Sequence, residues 1–275
     1  MSPSWRNQLY IAFSAERISM LKLGRGLKPR MLGKHDEMVA AAGKRPSWQP
    51  ALDRLAQLFE EPEWQSAEAN IVLSNRLVRY AAIPFSAQLK HYSEREAFAK
   101  YFLTQNFGAA AASWTLRIQQ SKTATTGLVS AVDHALLEGL RLACAMHKLK
   151  LRSITPYLMP VFNTHRKVMK NDPAWLVINE PGYSLLALSG GGKFIAVNGV
   201  CHDSISELPM LLDRENLVGA LPEPCKSVYL HALSAGGEPA IPVSGYEFSI
   251  LDMTVPDEFP TSSDGLYAMA MSGVS

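Results

Sequence analysis

The sequence contains little cysteine and no long apolar run. Its three cysteines, Cys144, Cys201 and Cys225, are widely spaced, and no Cys-x-x-Cys or His-x-x-x-His pattern completes a metal site. We therefore expect three buried, unreactive thiols in a reducing compartment, and no bound metal. No apolar run approaches the roughly 18 residues of a membrane-spanning helix, and the first residues lack the apolar core of a signal peptide. These absences predict a cytoplasmic protein with no membrane insertion.

Glycine and proline are also limited, at 18 and 17 of 275 residues, while hydrophobic residues make up 47% and charged residues 19% of the chain. This composition is typical of an ordered globular protein and excludes disordered, collagen-like and low-complexity chains. At roughly 100 to 200 residues per domain, the length allows one large domain or two smaller ones. We expect two, because the pattern of elements starts afresh near residue 175.

The net charge is only +2, but its distribution along the chain is uneven. Residues 1–150 contain 20 basic and 12 acidic residues, whereas residues 151–275 contain 7 and 13. The segment 17–45 holds eight basic residues and only two acidic ones, Asp36 and Glu37. Such a segment is either a solvated loop or a surface for acidic lipid, an acidic partner or a nucleic acid. It contains no aromatic residue to stack on bases, so a nucleic-acid-binding protein is kept only as an alternative.

Hydrophobic periodicity predicts several strands. Leu9–Phe13 and Ile18–Leu23 indicate a hairpin that turns at Ser14–Arg17. The stretch 71–83 contains two short apolar runs around Ser74-Asn75-Arg76, which predicts a second hairpin.

Helical signals lie between and after these strands. Ser93 with Glu96 three residues later matches a capping box, and Gly108 stands where a left-handed helix end is favoured. A longer helix is predicted from about 127 to 148, because its apolar residues form one stripe. Three more strands follow in quick succession between 175 and 197. Each part of the chain thus runs from clustered strands into alternating helices and strands, which predicts an α/β fold with a mixed sheet in each part.

Two motif-like segments do not support catalysis. Ser189–Phe194 is rich in glycine, but it lacks the earlier glycine and the hydroxyl residue after Lys193 that a phosphate-binding loop requires. A hairpin turn is predicted there instead. Cys201-His202-Asp203 has the residue types of a catalytic triplet, but consecutive side chains on a strand point to opposite faces. We therefore name no catalytic residue and no metal ligand.

Five segments carry a resemblance to a known family. They are Ile71–Ser86 (IVLSNRLVRYAAIPFS), Glu94–Gly108, the strand at Trp114, Leu128–Leu137 (LVSAVDHALL) and Ile154–Leu158 (ITPYL). In order and spacing they resemble the bacterial actin-like proteins of pilus and secretion machines. That family includes the M protein of type IV pilus assembly and the cytoplasmic domain of the L-type platform protein of type II secretion. The resemblance implies an actin-like ATPase fold with two ribonuclease-H-like halves, residues 1–173 and 174–275, and a cleft between them.

The resemblance also implies where a nucleotide would bind. In the family fold, two Asp-bearing strand turns and a glycine-rich adenosine loop hold ATP. The corresponding positions in this chain are Ser14, Glu16, Asn179, Glu180, Gly236 and Gly237. The first turn has no glycine, and Pro181 removes a backbone donor from the second. The two turns therefore offer few oxygen ligands for magnesium and few hydrogen-bond donors for a triphosphate. We expect a degenerate ATPase without a cofactor; an active ATPase or kinase that uses ATP with magnesium, through Glu16 and Glu180, is the alternative.

A role and a partner follow from the same resemblance. It implies a non-enzymatic scaffold or adaptor of a bacterial pilus or secretion platform, which binds the cytoplasmic tail of a bitopic inner-membrane assembly protein. In the family, such a tail docks in a groove between subdomains of the first half. The protein would then be cytoplasmic and peripheral to the inner membrane through its partner, with no specific nucleic acid among its ligands.

Overall fold

The structure is a computed structural model of the chain. It describes residues 6–26, 30–40, 46–86, 88–119, 126–169, 173–218, 223–232, 245–251 and 267–273. The helices are α1 (Gln49–Leu58), α2 (Tyr92–Phe107), α3 (His134–Met146), α4 (Leu158–His165), α5 (Leu208–Val218) and α6 (Ala268–Met271). The strands are β1 (Asn7–Phe13), β2 (Arg17–Leu23), β3 (Met31–Met38), β4 (Ala67–Leu73), β5 (Val78–Pro84), β6 (Trp114–Gln119), β7 (Thr126–Asp133), β8 (Lys150–Pro156), β9 (Ala174–Glu180), β10 (Tyr183–Gly190), β11 (Lys193–Cys201), β12 (Ser227–Ala232) and β13 (Glu247–Ile250).

Two five-stranded sheets have the same topology. The first sheet has the order β3-β2-β1-β4-β8, and the second sheet has the order β11-β10-β9-β12-β13. In each sheet the first three strands are antiparallel and the last two are parallel to the central strand. The predicted β1–β2 hairpin and the three successive strands after residue 174 are therefore present. The division of the chain after residue 173 stays a prediction.

A third, smaller sheet is inserted between β4 and α3. This inserted sheet has the order β5-β7-β6, and all of its pairs are antiparallel. Helix α2 covers one of its faces, where Ile83, Leu116 and Val129 are buried against Ala99 and Leu103. The opposite face turns toward the first sheet.

The helix expected from about 127 to 148 is wrong in its first third. Residues Thr126–Asp133 form β7, and α3 begins only at His134. Asp133 is the N-cap of α3, and its side chain accepts a hydrogen bond from the backbone N–H of Ala135 at 2.9 Å. The run of Leu, Val and Ala fits either structure by periodicity, and pairing with β5 and β6 selects the strand.

The second expected hairpin is also wrong, although both of its strands exist. Strand β4 pairs with β1 and β8, whereas β5 pairs with β7 in the inserted sheet. A short 3-10 turn at Asn75–Leu77 redirects the chain between the two sheets. The capping box of α2 likewise lies two residues earlier than predicted, at His91 and Glu94.

Side chains from both five-stranded sheets share one hydrophobic core. Ile11 on β1, Ile71 on β4 and Ile178 on β9 are fully buried in it. Central strands that are covered on both faces read as almost continuous apolar runs, which explains the apolar sequences of β1 and β9. The expectation of three buried thiols is wrong for Cys201, which is exposed at the end of β11, while Cys144 and Cys225 are buried.

Part of the positive charge of segment 17–45 is neutralised or buried. Arg17 forms an ion pair with Asp36, in which Nε lies 2.8 Å from Oδ1. Lys22 is buried and donates a hydrogen bond to the carbonyl oxygen of Gln65 at 3.0 Å. The segment therefore offers fewer free cations than its composition indicates. Three of its basic residues lie outside the described ranges: Lys28, Lys44 and Arg45.

We predict that Ile11→Ala destabilises the protein strongly. Ile11 is fully buried in β1, so its truncation removes apolar contacts and leaves a cavity that costs about 2 to 5 kcal/mol. Chemical denaturation in urea measures the change in the free energy of unfolding. The matched control is Leu142→Ala on α3, because Leu142 is 61% exposed. Equal losses in the two variants would contradict the buried position of β1.

Candidate functional site

In the turn between β1 and β2, backbone N–H groups donate to a side chain of the same turn. The hydroxyl oxygen of Ser14 accepts hydrogen bonds from the backbone N–H groups of Glu16 and Arg17, at 3.3 and 2.9 Å. The same hydroxyl donates to the carbonyl oxygen of Arg17 at 3.0 Å. A phosphate-binding turn presents such N–H groups to its ligand. Here the side chain of Ser14 occupies them.

The turn after β9 carries a buried carboxylate. Glu180 is only 4% exposed, and its side chain accepts hydrogen bonds from the hydroxyl of Ser74 and from the backbone N–H of Asn75, the latter at 2.9 Å. Burial raises the pKa of the Glu180 carboxyl above its ordinary value, and the two donors oppose that rise. Asn179 makes a different contact, because its side-chain oxygen lies 2.9 Å from the hydroxyl of Ser184.

Arg76 links the two turns across the cleft. Its Nη1 lies 3.6 Å from Oε1 of Glu16 and donates to the carbonyl oxygen of Pro181 at 3.5 Å. The structure thus brings Glu16 and the turn after Glu180 to the same atom of one side chain, Nη1 of Arg76. Gly236 and Gly237, the remaining expected positions, lie outside the described residues.

More buried polar contacts cross between the first and second sheets. The hydroxyl of Tyr157, before α4, lies 2.7 Å from Nε2 of His231 on β12. Burial and the nearby His165 lower the pKa of His231 to about 4, so its ring is neutral at physiological pH. On the side of the first sheet, Oδ1 of Asn75 accepts from the hydroxyl of Tyr80 at 2.6 Å. These contacts form an internal hydrogen-bond network across the cleft.

Sequence reasoning missed the residues of the first sheet that contact Glu180. Ser74, Asn75 and Arg76 were interpreted only as a hairpin turn. Their signal is a polar run between two apolar strands, and Ser74 and Asn75 are fully buried. A serine and an asparagine that are fully buried need hydrogen-bond partners, which here come from distant parts of the chain.

The remaining polar clusters offer little chemistry. The hydroxyl of Ser184 lies 2.9 Å from Nε2 of His202, but Ser184 is fully buried, so no substrate can reach it. His202 and Cys201 do not converge, since His202 is buried while Cys201 is exposed. In the part of the chain that the structure describes, no three His, Cys, Asp or Glu side chains form a group that could hold a metal.

An open groove lies between the inserted sheet and the first sheet. Its volume is about 490 Å³, and its walls come from β6, β7, α3, β8 and α4. Apolar side chains form much of the lining, including Leu137 on α3 and Met159 on α4. Three arginines also line it, Arg117, Arg141 and Arg152, and none of the described residues in the lining is acidic or aromatic.

The alternation of side chains in β6 explains how the groove forms. Thr115, Arg117 and Gln119 point to the groove, while Trp114 and Leu116 pack toward α2 on the other face. Strands β6 and β8 are each the last strand of their sheets in the described part of the chain. In the described part of the chain, the groove therefore lies beside an edge strand of each of two sheets.

Comparison with known proteins identifies the fold. No protein-family model matches the sequence, and no curated protein matches it. Among solved structures, the PilM–PilN type IV pilus biogenesis complex matches with a TM-score of 0.64 and 13% identity, covering 98% of each chain. The cytoplasmic domain of EpsL, an inner-membrane component of the type II secretion system of Vibrio cholerae, matches with a TM-score of 0.56 and 12% identity, covering 98% of this chain and 94% of that one.

A protein of unknown function with an actin-like ATPase fold from Bacteroides thetaiotaomicron also matches, with a TM-score of 0.59 and 12% identity, over 96% of this chain and 95% of that one. The chain therefore has the actin-like fold, and the predicted fold class and resemblance are confirmed. Among the residues described, no helix has the length and apolar character needed to cross a bilayer.

We predict that Glu180→Gln changes how stability depends on pH. A raised pKa in the folded state means that ionised Glu180 weakens the wild-type protein as the pH rises above the ordinary glutamate pKa. Glutamine stays neutral and keeps an oxygen for the N–H of Asn75. The variant should therefore gain stability relative to wild type as the pH rises above the ordinary glutamate pKa.

Urea unfolding at several pH values measures this difference. The comparison variant Glu180→Ala leaves the Ser74 hydroxyl and the Asn75 N–H without an acceptor, which costs about 1 to 3 kcal/mol. An identical pH dependence in wild type and Glu180→Gln would contradict the buried, hydrogen-bonded position of this carboxyl.

Proposed function

We propose that the chain is a non-enzymatic scaffold or adaptor of a bacterial pilus or secretion assembly platform. In this role it binds the cytoplasmic tail of a bitopic inner-membrane partner. The observation that carries the proposal is the groove between the inserted sheet and the first sheet, on a chain whose fold matches PilM in complex with PilN and the cytoplasmic domain of EpsL over nearly its whole length. The partner would hold the protein at the inner face of the membrane.

The form of the groove suits a segment of polypeptide. Its volume of about 490 Å³ lies in the range of ligand-binding clefts. Its lining is mainly apolar with a few polar side chains, and it runs beside terminal strands of two sheets. Peptides commonly bind such places in an extended conformation, because unpaired strand edges offer backbone donors and acceptors.

The closed cleft supports a role without catalysis. Nucleotide hydrolysis needs carboxylates or amides that hold magnesium and backbone donors that hold phosphates. The Ser14 hydroxyl occupies the donors of the first turn, and the Glu180 carboxylate is engaged by Ser74 and Asn75. A fold carries its usual activity only where the site is preserved. We therefore propose a degenerate ATPase, in which Ser14, Glu16, Asn179 and Glu180 serve structure.

We predict that ATP with magnesium leaves the melting temperature unchanged. A ligand that binds the folded state stabilises it by RT ln(1 + L/Kd), where L is the free ligand concentration, so the absence of a shift at millimolar ATP excludes a site with a Kd well below the millimolar range. Differential scanning fluorimetry measures the shift, with sodium chloride at matched ionic strength as the control. A magnesium-dependent rise that Glu16→Ala abolishes would refute the proposal and favour the active ATPase.

We predict that Ser130→Trp blocks the binding of the partner's tail. Ser130 on β7 lines the groove, and an indole at this position occupies the space of a bound segment. The probe is a fluorescent peptide with the cytoplasmic tail sequence of a bitopic inner-membrane protein encoded beside this chain, and anisotropy measures its affinity. We expect a loss of about tenfold or more.

Gln105→Trp is the matched control, because Gln105 is exposed on α2, across the inserted sheet from the groove. Circular dichroism checks that both variants are folded. Equal affinity in wild type and Ser130→Trp would place the tail elsewhere and refute the role of the groove. Failure of wild type to bind any such tail would refute the proposed function.

A further inference from the structure

Of the three arginines that line the groove, one forms no ion pair with any residue that the structure describes. Arg141 forms an ion pair with Glu138, and Arg152 lies 3.4 Å from Oε2 of Glu68. Arg117 makes no ion pair and no side-chain hydrogen bond with any described residue, although it points into the groove opposite Ser130. A planar guanidinium presents five N–H donors in a fork that fits a carboxylate.

The two paired arginines are held by acids that do not line the groove. Leu151 lies opposite Ala69 and Ser153 opposite Asn70, so Arg152 between them has no register partner on β4. Such an irregularity re-aims a side chain next to a site. Among the described residues, the groove lining contains cations and no acidic side chain, so its walls are complementary to a negatively charged ligand.

The edge of β6 is open to the same ligand. Three consecutive residues, Arg117, Ile118 and Gln119, line the groove. Alternate side chains of a strand point to opposite faces, and Ile118 packs toward α2. Ile118 therefore reaches the groove at the edge of the strand. In the described residues β6 pairs only with β7, so its other edge is available for an added strand.

The lining distinguishes a peptide from a nucleic acid. Proteins that bind single strands combine cations with aromatic side chains on which the bases stack. In the described part of the chain no aromatic residue lines this groove, and its apolar side chains, such as Leu128 and Leu151, suit the aliphatic side chains of a polypeptide.

We propose, on the basis of the proposed function, that the groove selects an acidic, extended segment of its protein partner. The segment pairs its backbone with the free edge of β6 and places an Asp or Glu carboxylate on the guanidinium of Arg117. Arg117 is thus a residue that determines specificity, and its charge acts on the partner rather than on the stability of the fold.

The test exchanges charge on both sides of the contact. The full chain is titrated with the labelled tail peptide and with versions in which each Asp or Glu is replaced by Asn, Gln or Lys. We expect Arg117→Glu to lower the affinity for the acidic tail by about tenfold or more, since a charge-assisted hydrogen bond is lost and a repulsion is added. The Lys version of one acidic position should regain affinity for Arg117→Glu, and added salt should weaken the wild-type complex.

Lys100→Glu on α2 is the matched control, because it reverses a charge on an exposed helix away from the groove and should leave affinity within about twofold. The charge selection would be overturned, and the proposed function left intact, if Ser130→Trp lowers the affinity for the tail while Arg117→Glu does not. A tail that binds without any Asp or Glu would overturn it as well. Displacement of the tail by single-stranded DNA would assign the groove to a nucleic acid and overturn both.

Discussion

A buried carboxyl group constrains how the two five-stranded sheets meet. Glu180 stands at the end of β9, and its acceptors are satisfied by Ser74 and Asn75 at the end of β4. Burying an ionised carboxylate is costly unless donors replace the lost water, so the strand ends of two separate sheets are constrained to meet. The cleft between them is filled by protein groups. Hydrogen bonds within the protein engage both the Ser14 hydroxyl and the Glu180 carboxylate.

The same chain connection also creates the groove. After β4, the 3-10 turn at Asn75–Leu77 leads the chain into the inserted sheet. Asn75 faces the second sheet through Glu180, while Leu73, two residues earlier, lines the groove. The turn at Asn75–Leu77 thus contributes hydrogen bonds to the cleft and also leads the chain to one wall of the groove.

Positively charged side chains have different roles in the segment 17–45 and in β6. The amino-terminal segment is rich in Lys and Arg, yet Arg17 is paired with Asp36 and Lys22 is buried against backbone carbonyls. The free guanidinium of the groove comes instead from β6, in a stretch of the sequence with no cluster of charge. Local composition therefore indicates where cations are frequent, but it does not indicate which of them are available to a ligand.

The sequence alone determined the fold class, the β1–β2 hairpin, the turn at Gly191-Gly192 and the absence of a phosphate-binding pattern, because these depend on residues close together in the chain. Tertiary structure decided that Thr126–Asp133 is a strand, that β4 and β5 separate, and that Glu180 is buried. Ser74 and Glu180 are 106 positions apart, and no local pattern encodes which distant donor meets which acceptor. Periodicity records the faces of an element, whereas packing selects the partner of each face.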